Sequence, residues 1–277
     1  EKAAILYLHG IEGHSLWFKD TAEFLQSQGV TVHAVDRRGS GRSEGPRGDV
    51  NNFQVLIDDA AEALRFVRRS STAPLFLMAN CWGAKLAAIL ASSEHPCAND
   101  LSGLILSSPA ISVKVDLTLA QKFSIAWRLI SGNRTPYNIP LVPEDFTDNP
   151  HFLQFIRDDK LRLLEGTAQF FFNGQILTML SRRAAKKIVL PTLIVQAGTD
   201  SIVEHSGIDK WFAELASKDK EIQIFPGVYH SLDFDKDPSV YRQRMLNWIL
   251  ARSIANAGDA AINSNNKGAK NRENSLA

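Results

Sequence analysis

Short apolar runs of strand length alternate with amphipathic stretches of helical spacing, and this alternation constrains the fold more than any other feature of the chain. Ala3–Leu8 is a compact apolar run ending in His9-Gly10, as a buried strand meeting a turn would. Phe18, Ala22 and Leu25 then recur at helical spacing across Phe18–Gln28, and Gly29 follows where a left-handed helix cap belongs. Val30–Val35 is short and β-branched, and Asp36-Arg37-Arg38-Gly39-Ser40-Gly41 breaks it. The spacing predicts a helix over Phe53–Val67, a strand over Leu75–Ala79, a small-residue helix over Ala84–Ser92 and a strand at Leu104–Leu106. The rhythm resumes with Thr192–Ala197, a helix near Trp211–Ala216, Ile222–Phe225 and a closing helix near Tyr241–Arg252. Strands that alternate with helices predict an α/β fold, a mostly parallel sheet covered by helices on both faces.

Between Ser112 and Leu190 the rhythm changes. Pro136, Pro140, Pro143 and Pro150 punctuate a stretch with several aromatics, no strand signal, and helical patterns near Leu119–Ile130 and Leu161–Leu180. The expected organisation is therefore an α/β core over residues 1–111 and 191–255, interrupted by a helical cap over 112–190. Residues 256–277 are rich in Asn, Ala, Gly, Ser and Lys, too polar to bury a core, and are expected to be a disordered tail.

Composition narrows the partners. A formal net charge of +1 over 277 residues gives no electrostatic footprint for nucleic acid or for an acidic membrane surface. No apolar run reaches the roughly 18 residues that a membrane span needs. Cys81 and Cys97, the two cysteines, do not make a disulfide framework. The chain opens on Glu1 and enters an apolar run at once, as after processing or trimming, and with free thiols and no visible leader a cytoplasmic location is the expectation.

The most informative stretch is Leu75-Phe76-Leu77-Met78-Ala79-Asn80-Cys81-Trp82-Gly83-Ala84. An apolar strand, one reactive residue, then Gly and a run of small residues is the pattern of a nucleophile elbow. There the reactive side chain sits in a strained strand-to-helix turn, and its neighbours two residues away must be small. Ala79 and Gly83 hold those flanking positions. Against the usual G-x-S-x-G pattern this sequence has Ala for the first Gly and Cys for the Ser. A thiolate attacks without needing as strong a base and forms a thioester. The plain alternative is a buried, inert thiol at a strand end; Cys97, beside His95 and Pro96 in a polar loop, has no elbow context and is read as incidental.

Nucleophilic catalysis needs a base and a group that orients it, and the expected order along such a chain is nucleophile, acid, histidine. Thr192–Ala197 runs into Gly198-Thr199-Asp200, which puts the Asp200 carboxylate at a strand's end. Ile222–Phe225 runs into Pro226-Gly227-Val228-Tyr229-His230, which puts His230 in the turn after the last strand; Asp233 and Asp235 are the alternative acids. His205 lies too close to Asp200 to occupy a separate loop. The roles would be His230 as base or ion-pair partner of Cys81, and Asp200 as the group that fixes the imidazole. Two backbone N–H donors must meet the tetrahedral oxyanion. Trp82, after the nucleophile, is one candidate, and Ile11, in His9-Gly10-Ile11-Glu12-Gly13-His14, is the other. His9 and His14 invite a metal, but no third ligand has comparable context and none is expected.

With these residues in place the chain resembles the α/β-hydrolase superfamily, in its monoacylglycerol lipase and lysophospholipase, or serine-aminopeptidase-like, branch. Four segments carry the resemblance: Leu8-His9-Gly10 with His14-Ser15; Asp36-Arg37-Arg38-Gly39-Ser40-Gly41-Arg42-Ser43; the elbow at Cys81; and Gly198-Thr199-Asp200 with Gly227 and His230. The resemblance implies an α/β-hydrolase fold, a helical cap over the site, a small-molecule acyl substrate, and no cofactor. It also implies a serine where Cys81 stands. The leading expectation is an acyl hydrolase acting on an ester or thioester through an acyl-Cys81 intermediate. An acyltransferase passing the acyl group to an amine, alcohol or thiol is the first alternative, and a binding protein that kept the fold without the chemistry is the second. Phe123, Trp127, Phe152, Phe155, Phe170, Phe171, Phe172 and Leu177 in the cap suit an apolar acyl chain, or ordinary cap packing. Oligomeric state has no signal in these residues.

Overall fold

The computed structural model describes residues 1–114 and 118–254. Its first third runs β1 (Ala3–Leu8), α1 (Lys19–Ser27), β2 (Val30–Val35), α2 (Phe53–Ser70), β3 (Leu75–Asn80), α3 (Gly83–Leu90) and β4 (Gly103–Ser107). An intervening segment holds α4 (Leu119–Ser131), β5 (Tyr137–Asn138), α5 (Pro143–Phe146), α6 (Pro150–Asp158), β6 (Glu165–Gly166) and α7 (Ala168–Ala184). The chain then returns through β7 (Thr192–Ala197), α8 (His205–Glu214) and β8 (Lys220–Phe225) to α9 at residues 239–254. Six strands form one sheet in the order β2-β1-β3-β4-β7-β8, and every pairing in it is parallel. Parallel neighbours need crossover connections, and the helices between the strands supply them.

Successive strand residues point to opposite faces, and the core follows that period of two. Ala4, Leu6 and Leu8 of β1 and Leu75, Leu77 and Ala79 of β3 enter one apolar cluster with α2, α3 and α7. Ala3, Ile5 and Tyr7, with Phe76 and Met78, enter a second cluster on the other face with Phe18, Leu25, Met245 and Trp248. A one-residue slip would exchange the two sets and press each side chain into a cluster shaped for the other, a misfit that costs about 1–3 kcal/mol per overpacked site. Register is thereby fixed, and with it the face on which Cys81 emerges.

The intervening segment differs from expectation in its helices, in a strand pair and in how its aromatics are divided. The helix expected at Leu161–Leu180 is α7, Ala168–Ala184. Thr167 caps it by accepting from the Phe170 amide, and just before it Glu165–Gly166 pairs antiparallel with Tyr137–Asn138, a strand pair the sequence did not announce. Helix α6 was likewise unannounced: Pro150 starts it behind the Asn149 cap, because proline's fixed φ suits a helix's first turn. The aromatics are divided. Phe170 and Phe171 face the interior beside Trp82, whereas Phe123 and Trp127 stand exposed on α4, and Phe152 and Phe155 join Phe146 and Phe234 in a separate cluster. Beyond this segment, the helix expected at Trp211–Ala216 is His205–Glu214, begun by the Glu204 side chain accepting from the Ser206 amide. Residues 255–277, including the expected disordered tail, lie outside the described residues. No helix among the described residues is long and apolar enough to cross a membrane.

Candidate active site

Strand β3 ends at Asn80 and helix α3 begins at Gly83, so the chain must reverse within Cys81 and Trp82. Cys81 does so at φ 50°, a left-handed conformation that costs a non-glycine residue roughly 1–3 kcal/mol and persists only where its surroundings hold it. Here the Cys81 amide donates to the Ser107 carbonyl at 3.0 Å, and the Cys81 carbonyl accepts from the Ala84 and Ala110 amides at 3.1 and 3.0 Å. Gly83 is obligatory for a different reason. A Cβ there would stand 2.5 Å from the Leu8 carbonyl oxygen and 2.7 Å from that of His9. The turn leaves Trp82 at the N-terminus of α3, where backbone amides and the helix dipole favour negative charge.

His230 and Asp200 reach the elbow from the ends of β8 and β7. His230 Nδ1 and Asp200 Oδ2 are 2.8 Å apart, both side chains fully buried. The other Asp200 oxygen accepts the Ile202 and Val203 amides at 2.8 and 2.9 Å, which fixes the carboxylate's plane. Burial pushes the Asp200 pKa up, but the His230 charge and these hydrogen bonds outweigh it and hold the group below the usual carboxylate value. Nε2 of His230 has no conventional partner and is left to Cys81. Burial alone would lower the imidazole pKa; the charges of Cys81 and Asp200, with their hydrogen bonds, raise it to about 10. Asp233 is occupied elsewhere: it accepts from Thr21 Oγ1 at 2.6 Å, and burial raises it to about 6.

The loop after β1 closes over the thiol. A Cβ on Gly10 would lie 3.1 Å from Cys81 Cβ and 3.7 Å from its sulfur, so the backbone bearing Ile11 passes directly above the elbow. Ile11, Cys81 and Trp82 line one cavity of about 130 Å³, walled by Ile139, Phe170 and Leu141 from the intervening segment. The two residues expected to supply oxyanion donors thus flank Cys81.

Two residues with no role in the sequence-based expectation hold this loop. Arg37 is buried, donates to the carbonyls of Gly10 and Ile11 at 3.2 and 3.0 Å, and lies 4.4 Å over the Trp82 ring. Its burial lowers its pKa to about 10, which leaves it charged. His9, held neutral by burial and by the Arg37 charge with its pKa near 3, accepts the Arg37 amide at Nε2. The proton is therefore on Nδ1, which donates to the Gly10 carbonyl at 2.8 Å. His14 instead meets Asp159 at 2.8 Å. The signal for Arg37 was its place beside Asp36 in the glycine-rich turn, where Asp36 accepts the Ser15 and Arg42 amides at 2.7 and 2.8 Å.

Comparison with known proteins places the chain. The chain is 30% identical over 237 residues to the monoglyceride lipase of Rattus norvegicus, covering 83% of this chain and 76% of that one. It is 28% identical over 269 residues to the human monoglyceride lipase, covering 94% and 86%. The crystal structure of the Paleococcus ferrophilus monoacylglycerol lipase superposes with a TM-score of 0.77 at 22% identity, over 90% of this chain and 94% of that one. A soluble variant of the Saccharomyces cerevisiae monoglyceride lipase, solved with a substrate analogue, gives 0.77 at 19% identity over 91% and 87%. The fold is that of the α/β-hydrolases. Residues 1–237 match the model of the family described as serine aminopeptidase, S33, and the chain belongs to that family.

Proposed function

We propose that the protein is a lipase- or esterase-type acyl hydrolase in which Cys81 is the nucleophile, His230 the general base and acid, and Asp200 the group that orients the imidazole. The observation that carries this is the strained, fully supported Cys81 elbow facing the free nitrogen of a buried histidine whose other nitrogen is held by a carboxylate. The monoglyceride lipase relatives support an ester as the substrate. The described residues over 112–190 serve as the cap that roofs the cavity, and its apolar lining suits an acyl chain.

The chemistry runs in two halves. The Cys81 thiolate attacks the ester carbonyl, and the oxyanion is met by the Ile11 and Trp82 amides, with the α3 dipole behind the second. Collapse of the tetrahedral intermediate breaks the bond to the leaving oxygen. The His230 imidazolium gives that oxygen its proton, leaving a thioester on Cys81 and a neutral imidazole. His230 then takes a proton from water, hydroxide adds to the thioester, and the thiolate leaves beside the regenerated imidazolium. Asp200 stabilises the imidazolium in both halves without itself taking the proton. Arg37 keeps the Ile11 loop in place throughout.

Turnover of p-nitrophenyl esters by wild type and by Cys81→Ala tests the reading. The expected loss in kcat/KM for Cys81→Ala is about 10³-fold or more; a variant that turns over within a few-fold of wild type would remove Cys81 from the chemistry.

A further inference from the structure

Lys85 is an unusual residue to find in the first turns of α3. Its neighbours Ala84, Leu86, Ala87 and Ala88 are all buried and apolar, and Lys85 itself is only 8% exposed. Its side chain lines the same cavity as Cys81 and Trp82. An ammonium carries three donors, yet the hydrogen bond shown for Nζ is one to the Gly174 carbonyl at a long 3.5 Å, and the Trp82 ring face lies 5.6 Å away. Among the described residues the cavity lining contains no carboxylate. The charged side chains that act on Lys85 are Arg37, Arg182 and Cys81. Burial lowers its pKa to about 8; Cys81 pulls it up, and Arg182 and Arg37 push it further down. The group is therefore still protonated at neutral pH.

A buried ammonium without a counter-ion costs several kcal/mol, whereas a methionine of similar length would fill the same space at no such cost. Among the described residues, the acidic side chain that acts on Lys85 is Cys81, and acylation of Cys81 removes its capacity for charge. An anion brought by the substrate would complete the site when it is most needed.

We propose that Lys85 is a specificity-determining residue that pairs with a carboxylate on the part of the substrate held in this cavity, so that the preferred acyl group is that of an acid bearing a second, anionic end. The inference rests on the reading of Cys81 as the acyl-accepting nucleophile, and its test has a readout that does not depend on turnover. Alkylation of Cys81 by iodoacetamide is followed in the presence of α,ω-dicarboxylates from succinate to suberate and of the matched neutral diamides. At least one dicarboxylate is expected to protect Cys81 at a concentration about tenfold or more below that of its diamide, as for a desolvated charge pair. Lys85→Met and Lys85→Gln should bring that ratio close to one, with a thermal midpoint equal to or above wild type because an unpaired buried charge has gone. A lysine that merely supports the fold would lower the midpoint and leave the ratio intact. Equal protection by acid and diamide across the series, or a preference that persists in both variants, would overturn the proposal. In parallel, p-nitrophenyl hydrogen glutarate is compared with its methyl-capped neutral ester. Carboxylate-selective protection with turnover of neither ester would uphold Lys85 and remove the hydrolase reading; turnover with no selectivity in protection would do the reverse.

Discussion

At the scale of single residues the site is a problem of charge held out of water. His230 is wholly buried, which disfavours its cation, yet Asp200 on one side and Cys81 on the other favour the cation more strongly and raise its pKa from 6.5 to about 10. A group whose folded pKa is raised contributes stability that is fully present below pH 6.5 and is lost as the pH rises through about 10. The imidazolium is thus expected to persist in the resting protein through neutral pH, and NMR of the His230 ring nitrogens would follow it. In Cys81→Ala the Cys81 charge and hydrogen bond are gone while the burial remains, so the titration should move clearly downward. An unmoved titration would mean that Cys81 and His230 do not interact. Several of these residues were legible from order and placement alone, because a carboxylate after one strand and a histidine after the next can meet only at the same sheet edge. Arg37 and His9 were not. Arg37 was marked only by its place beside Asp36 in the glycine-rich turn; its guanidinium acts on the Gly10 and Ile11 carbonyls and its amide on His9 Nε2, all distant in sequence, and no local pattern encodes those partners. Lys85 left a faint mark, a charge set in a run of small apolar residues.

Elements position what residues do. The parallel sheet delivers β1, β3, β7 and β8 with their carboxyl ends on one side, and Ile11, Cys81, Asp200 and His230 all follow those ends. The period-two burial of the strands was visible as apolar runs, which is why the core strands matched the sequence pattern to within a residue or two. Helix boundaries between Ser112 and Leu190 were less legible, because caps such as Thr167 and Asn149 set them and aromatic residues there serve three different surroundings. The elbow shows how tightly two elements are bound together. The α3 start lies so close to the end of β1 that Gly83→Ala would drive a methyl into the Leu8 and His9 carbonyls. Such overpacking is expected to lower unfolding free energy by about 1–3 kcal/mol, measured by urea denaturation, and to reduce ester turnover as well because the Cys81 conformation must relax. A Gly83→Ala protein with wild-type stability and rate would show that this packing is slack.

For the whole molecule, the clamp between core and intervening segment matters most. Glu12, in the loop that carries Ile11, forms a buried pair with Arg162 at 2.6 Å, and its carbonyl accepts the Leu163 amide at 2.9 Å. Trp17 and His14 both reach Asp159 at 2.8 Å. The intervening segment, which walls the cavity, is therefore tied to the loop above the thiol, so in the proposed reaction the same contacts would set both substrate shape and oxyanion geometry. Each of the proposed roles requires a covalent acyl group passing through Cys81. Acid-quenched reactions with a p-nitrophenyl ester, read by intact-protein and peptide mass spectrometry, test it most directly. The predicted result is a mass increase equal to the acyl group, located on the peptide containing Cys81 and removed by hydroxylamine as a thioester is. Sustained ester turnover with the adduct on another residue, or turnover that survives undiminished in Cys81→Ala, would contradict it.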